Sequence, residues 1–125
     1  MTDDARELTG RLIDAGLKVH RALGPGLPES VYEQCFAREL ELRGIVARRQ
    51  IWLPIRYEGV ELQAGYRLDL VVEGMVIVEV KAVETLSRLH QAQLLSYLRL
   101  SGLHVGLLMN FNVELFKDGL KRLVI

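Results

Sequence analysis

Residues 66–81, YRLDLVVEGMVIVEVK, set two carboxylates and an ammonium, Asp69, Glu79 and Lys81, among apolar neighbours. Strand residues alternate faces, so Glu79 and Lys81 point one way and Val78 and Val80 the other. Both faces of 75–82 are otherwise apolar, which reads as a central strand covered on both sides. Charges there are costly unless paired, hydrogen-bonded or bound to a metal. Two carboxylates about 4 Å apart repel by about 4 kcal/mol at an effective dielectric of about 20. A hard divalent cation such as Mg²⁺ offsets that repulsion, takes a few carboxylates plus water or phosphate oxygens, and acidifies bound water. Lys81 could orient or deprotonate that water, or stabilise charge growing on a phosphate. The plainer alternative is a Glu–Lys pair at a solvent-exposed strand end, since Glu-x-Lys is a common tripeptide.

Register separates the two readings. A two-residue turn at Glu73–Gly74 pairs Val72 with Met75, and so Asp69 with Val78, turning Asp69 away from Glu79. A shared site needs a three-residue loop or a β-bulge between 69 and 79.

The elements that must position these residues follow from periodicity. Residues 4–22 form an amphipathic helix through Leu8, Leu12, Ala15, Val19 and Ala22, capped by Asp3 or Asp4. Gly24-Pro25-Gly26 stops it, and Pro28 opens a second helix that Gly44 ends, with Val31, Cys35, Phe36 and Leu40 inward. Glu29 lies in its first turn, where an acid also compensates the helix dipole, and Tyr32 shares that face. Strands follow over 45–57, with Pro54 marking an edge, then 60–72 and 75–82. A helix over 86–101 carries His90, Gln93 and Tyr97 as a polar stripe, which is either a solvated face or a phosphate contact. Strands at 104–111 and 120–125 complete the order α-α-β-β-β-α-β-β, an α/β (α+β) chain with a mixed sheet flanked by helices.

Composition excludes some alternatives. A chain of 125 residues, half of them apolar, fits one domain over 1–125 with a real core. Sixteen basic residues balance sixteen acidic ones, so any nucleic-acid binding must use a local patch. The single Cys35 allows no internal disulfide, and His20, His90 and His104 lack zinc-ligand spacing. No Gly-rich phosphate loop follows a strand. No apolar run approaches the roughly 18–20 residues a membrane span needs, and the acidic N-terminus carries no apolar signal core. The expectation is a cytoplasmic protein with no membrane association.

Longer blocks narrow the reading. GLPESVY, Gly26 to Tyr32, resembles the motif that names the GxxExxY family. The likeness continues through LGPGLPESVYE, GYRLDLVV, VEVKAVE, HQAQLLSYLRLSG and GLLMNFN, roughly residues 8–125. That family looks like a branch of the PD-(D/E)XK nuclease superfamily, which implies a restriction-endonuclease-like fold. By resemblance, Asp69 is the first acid, Glu79 the second and Lys81 the lysine. The RecB-like branch adds an early-helix acid, matched by Glu29 with Tyr32 as support, and a Gln-x-x-x-Tyr, matched by Gln93 and Tyr97. The resemblance implies a Mg²⁺- or Mn²⁺-dependent hydrolase of DNA phosphodiester bonds. Asp69, Glu79, Glu29 and the Val80 carbonyl would hold the metal. Arg48, Arg49, Arg88, Lys117 and Lys121 are the candidate nucleic-acid contacts. One small site per chain implies a homodimer for cutting both strands. Two rivals remain: a non-catalytic module binding nucleic acid or protein, and a metal-dependent phosphoesterase acting on another ester.

Overall fold

The computed structural model describes residues 1–125. Helix α1 spans Asp3–Leu23, α2 Glu29–Leu42 and α3 Arg88–Ser101. Strands are β1 Ala47–Tyr57, β2 Val60–Val72, β3 Val76–Lys81, β4 Val105–Asn110 and β5 Leu120–Val124, with a 3-10 turn at Phe116–Gly119. The element order matches the expectation, with the short turn added.

The strands form one sheet in chain order, β1 to β5, so Pro54 does lie on an edge strand. Neighbours are antiparallel except β3 and β4, which run parallel and are joined through α3. Such a crossover leaves the carboxyl ends of both strands facing the same rim, the usual place for a site in sheets of this kind. Helices α1 and α2 cover one face, where Leu12, Phe36 and Leu40 meet Leu70, Val72, Val76, Val78 and Val80. Helix α3 covers the other, where Leu94 and Leu98 meet Tyr66, Leu68, Ile77 and Leu108. Val76 to Val80 are all buried, as an apolar strand between two layers requires.

Two caps differ from expectation. Thr2, not Asp3 or Asp4, caps α1: its hydroxyl accepts from the Ala5 N–H at 3.1 Å. Asp3 and Asp4 fall inside the first turn, where their charge still opposes the helix dipole. Pro28 precedes α2 rather than opening it, so Glu29 is the first helical residue.

The GxxExxY residues build the entry to α2. Gly26 holds φ +100, a conformation L side chains rarely adopt, and donates its N–H to Asn112 Oδ1 at 3.1 Å. Fully buried Tyr32 stacks on Phe111 at 4.9 Å between centroids. Its hydroxyl donates to the Gly24 carbonyl at 2.5 Å and accepts from the Leu27 N–H at 3.1 Å. Tyr32 therefore supports Glu29 by pinning the loop that delivers it, rather than by binding the carboxylate. Tyr32→Phe leaves both backbone groups without that partner, and should cost about 1–3 kcal/mol of unfolding free energy. Urea denaturation checks it; a loss near zero would mean that the hydroxyl does not hold the loop.

Candidate active site

The hairpin between β2 and β3 decides which acids meet. Glu73 and Gly74 both take positive φ, 52° and 65°, as the favoured hairpin turns require. The Met75 N–H donates to the Val72 carbonyl at 2.9 Å, closing the turn. Yet Val72 pairs with Val76, not Met75, so Met75 is an extra residue and the loop has three members. The pairs then run Val71 with Ile77 and Leu70 with Val78. One step on, Asp69 lies opposite Glu79. The irregularity that the acids demanded between 69 and 79 is present.

The ladder between β2 and β3 ends at Leu70 and Val78. Beyond it the two carboxylates take over the bonding. Asp69 Oδ2 accepts from the Val80 N–H at 2.9 Å, and Glu79 Oε1 accepts from the Asp69 N–H at 3.4 Å. Each acid thus engages the other strand's backbone across an opening between neighbouring strands. In an extended chain the N–H and C=O of one residue project to the same side. The Val80 carbonyl therefore faces the opening as well, while the Lys81 carbonyl faces β4 and accepts from the Phe111 N–H.

The opening is held from behind. Arg49 pairs with Leu70 and Ile51 with Leu68, so Gln50 stands opposite Asp69, and that pair is missing from the ladder. Gln50 takes φ +52 there. Ala47, Leu70 and Val72 pack on the α1–α2 side, whereas Ile51, Tyr66 and Leu68 pack on the α3 side. Both strands therefore change faces at Gln50 and Asp69. Buried Glu33, one turn beyond Glu29 on α2, fixes this point: it accepts from Gln50 Nε2 at 2.8 Å and from Arg49 at 2.9 Å. Nothing in the local sequence marked Glu33 or Gln50.

Six of the anticipated residues line one open cleft of about 450 Å³: Glu29, Asp69, Glu79, Lys81, Gln93 and Tyr97. Helices α2 and α3 approach it from opposite layers of the fold. Tyr97 is braced by Tyr66, stacked at 5.0 Å. Trp52 and Arg67 also line the cleft; neither stood out, because only the β1–β2 register sets them side by side. Of the anticipated cationic contacts, Arg48, Arg88, Lys117 and Lys121 do not line it, and Arg49 is bound to Glu33. His90 leaves the polar stripe to cap α3, its ring nitrogen accepting from the Ser87 N–H at 3.0 Å. A larger concavity, about 600 Å³, lies at the far end of α2 beside Arg38, Glu41 and Arg49, where no acids converge.

Electrostatics set the protonation of the cleft. Burial first, and then the adjacent Asp69, push the Glu79 carboxyl up to about 9, with Lys81 opposing. At neutral pH the two acids therefore share their space by retaining a proton on Glu79. Glu29 is also raised, by desolvation, then by Asp69 and Glu33, with Lys81 pulling it down. It stands on the exposed rim, so water weakens each of these influences. Tyr97 is raised by burial and by the Glu79 and Asp69 carboxylates.

The donor set suits a hard cation. Two carboxylates bonded to each other's strands and a backbone carbonyl facing the same opening are what Mg²⁺ or Mn²⁺ accepts alongside water. Glu29, Asp69 and Glu79 do not close into a cluster of three side-chain ligands, which leaves Glu29 a more distant role.

A mixed sheet thus lies between helices, with an acid pair and a lysine where two of its strands separate. The family model for the PD-(D/E)XK nuclease superfamily matches residues 6–123, and the chain belongs to that superfamily. Comparison with curated proteins and with solved structures gave no match. No helix is long and apolar enough to cross a membrane.

Folded Glu79 keeps its proton up to about 9, against 4.5 for an unconstrained carboxyl. Between those values the folded chain binds more protons than the unfolded one, so stability should fall as pH rises through that window. Urea denaturation in EDTA should show this decline, and Glu79→Gln should flatten it. Identical profiles for the two proteins would contradict the assignment.

Proposed function

We propose that the cleft hydrolyses phosphodiester bonds in nucleic acid, DNA by expectation, with Mg²⁺ or Mn²⁺ as cofactor. The observation that carries this is the pair Asp69–Glu79 lodged, with Lys81 beside it, where the β2–β3 ladder opens. Asp69, Glu79 and the Val80 carbonyl would hold the cation. When bound, it supplies Lewis-acid polarisation of the phosphate and a water acidified for attack.

The chain's own groups do the rest. Lys81 ends β3 at the rim, half-buried, and presents a cation on the same face as Glu79. It orients the attacking water and offsets charge growing on the phosphate. Glu29, delivered by the pinned loop, accepts hydrogen bonds from water at the outer edge. Gln93 offers an amide to a phosphate oxygen, and Tyr97, fixed against Tyr66, offers a hydroxyl. To serve as a ligand Glu79 would first release its proton to solvent, in exchange for the cation.

The finer family placement, the GxxExxY group on the RecB-like branch, rests on the linked motif blocks of the sequence. The remaining elements of the reading are a single domain over residues 1–125, a cytoplasmic setting and a homodimer that brings two clefts to two strands.

Cleavage of single-stranded DNA, duplex DNA and RNA with Mn²⁺ tests the proposal. Lys81→Ala should lower kcat by roughly 10²–10⁴-fold while Mn²⁺ still binds. Equal turnover in the variant would discard the site. Binding of DNA that ignores Mn²⁺ and never leads to cleavage would favour the non-catalytic module.

A further inference from the structure

Trp52 stands 64% exposed on edge strand β1, an unusual place for the largest apolar side chain in the chain. It pairs across the ladder with Arg67, whose guanidinium carbon lies 5.6 Å from the indole centroid. Arg67 lines the cleft that holds Asp69 and Glu79. Trp52 lines that cleft and also a neighbouring concavity of about 290 Å³, bounded by Pro54 and Gln63, which Arg67 does not reach. Trp52 and Gly65 thus border both, and Arg67 attends the indole from within the cleft that holds the acids.

We infer that Trp52 is a stacking platform for an unpaired nucleobase, and that the cleft therefore takes single-stranded nucleic acid. The inference rests on the nuclease reading of the cleft and adds its substrate class. The exposed indole beside the concavity and the scarcity of cations around the cleft support it. The base would stack from the concavity, and Arg67 would meet the phosphate that follows it into the cleft. Lys81 and Arg67 are the two cationic side chains lining the cleft, and the chain carries no net charge. Duplex binding without bending draws its strength from many phosphate contacts, which this surface does not offer. Stacking on an aromatic ring supplies about 1–3 kcal/mol per base without sequence preference. In a duplex the base faces are already covered by their neighbours, so the platform selects ends, gaps and single strands.

Trp52 is the chain's one tryptophan, so its fluorescence reports on this face alone. The test titrates the full chain, with Ca²⁺ in place of Mg²⁺, using oligothymidylate, an abasic strand of equal length, and a blunt duplex. Oligothymidylate should quench the emission to saturation, while the other two leave it nearly unchanged. Trp52→Ala should bind oligothymidylate about tenfold more weakly by anisotropy, with Trp52→Phe recovering part of the loss. Equal quenching by the abasic strand, or unmoved emission while anisotropy reports binding, would overturn the inference. The titration reads no turnover. A protein that cleaves DNA with an unmoved indole loses only the platform; a quenched indole in a protein that cleaves nothing keeps the platform and loses the nuclease.

Discussion

Two carboxylates cannot both stay ionised in a buried gap between strands unless something positive joins them. That constraint governs this structure. Asp69 and Glu79 meet where Glu79 is almost fully shielded from water, and desolvation adds to their mutual repulsion. A proton relieves the conflict in the metal-free chain. A divalent cation would balance both carboxylates at once, which a single proton does not.

Much of the surrounding fold serves to keep those acids face to face. The extra residue Met75 sets the register. Gln50, in its left-handed conformation, turns β1 and β2 across the sheet at Asp69. Glu33 ties that turn to α2, the same helix whose first residue is Glu29. On the other side, Asn110 bonds Val83 through both its carbonyl and its amide, fixing the chain just past Lys81. A ladder that continued past Leu70 and Val78 would satisfy more backbone groups, but would leave no room for the acids. The side chains compensate by capping the freed N–H groups themselves.

Periodicity made the helices and strands legible, because burial imposes a 3.6- or 2-residue rhythm on apolar side chains. Pro54 revealed the edge for an equally local reason: it has no N–H to give a second neighbour. The family resemblance, more than any spacing, pointed Glu29, Asp69, Glu79, Lys81, Gln93 and Tyr97 to one site, and these six share a cleft. What stayed hidden depends on tertiary context. Thr2, Asp3 and Asp4 all have capping side chains, and only the true helix start selects Thr2. His90 and Gln93 look alike as stripe members until the cap claims His90. Arg48, Arg88, Lys117 and Lys121 are cationic in sequence, but the topology disperses them away from the opening. Trp52 and Arg67 lie 15 positions apart and meet only through strand pairing. No local rule predicts the positive φ of Gln50.

Anomalous diffraction from a crystal grown with Mn²⁺ tests the central claim most directly. The account predicts a single strong peak in the opening between β2 and β3, with Asp69, Glu79 and the Val80 carbonyl as protein ligands. A Mn²⁺ peak elsewhere, with the Val80 N–H still donating to Asp69 and no cation beside Glu79, would contradict it. The acid pair would then be a structural clasp between strands.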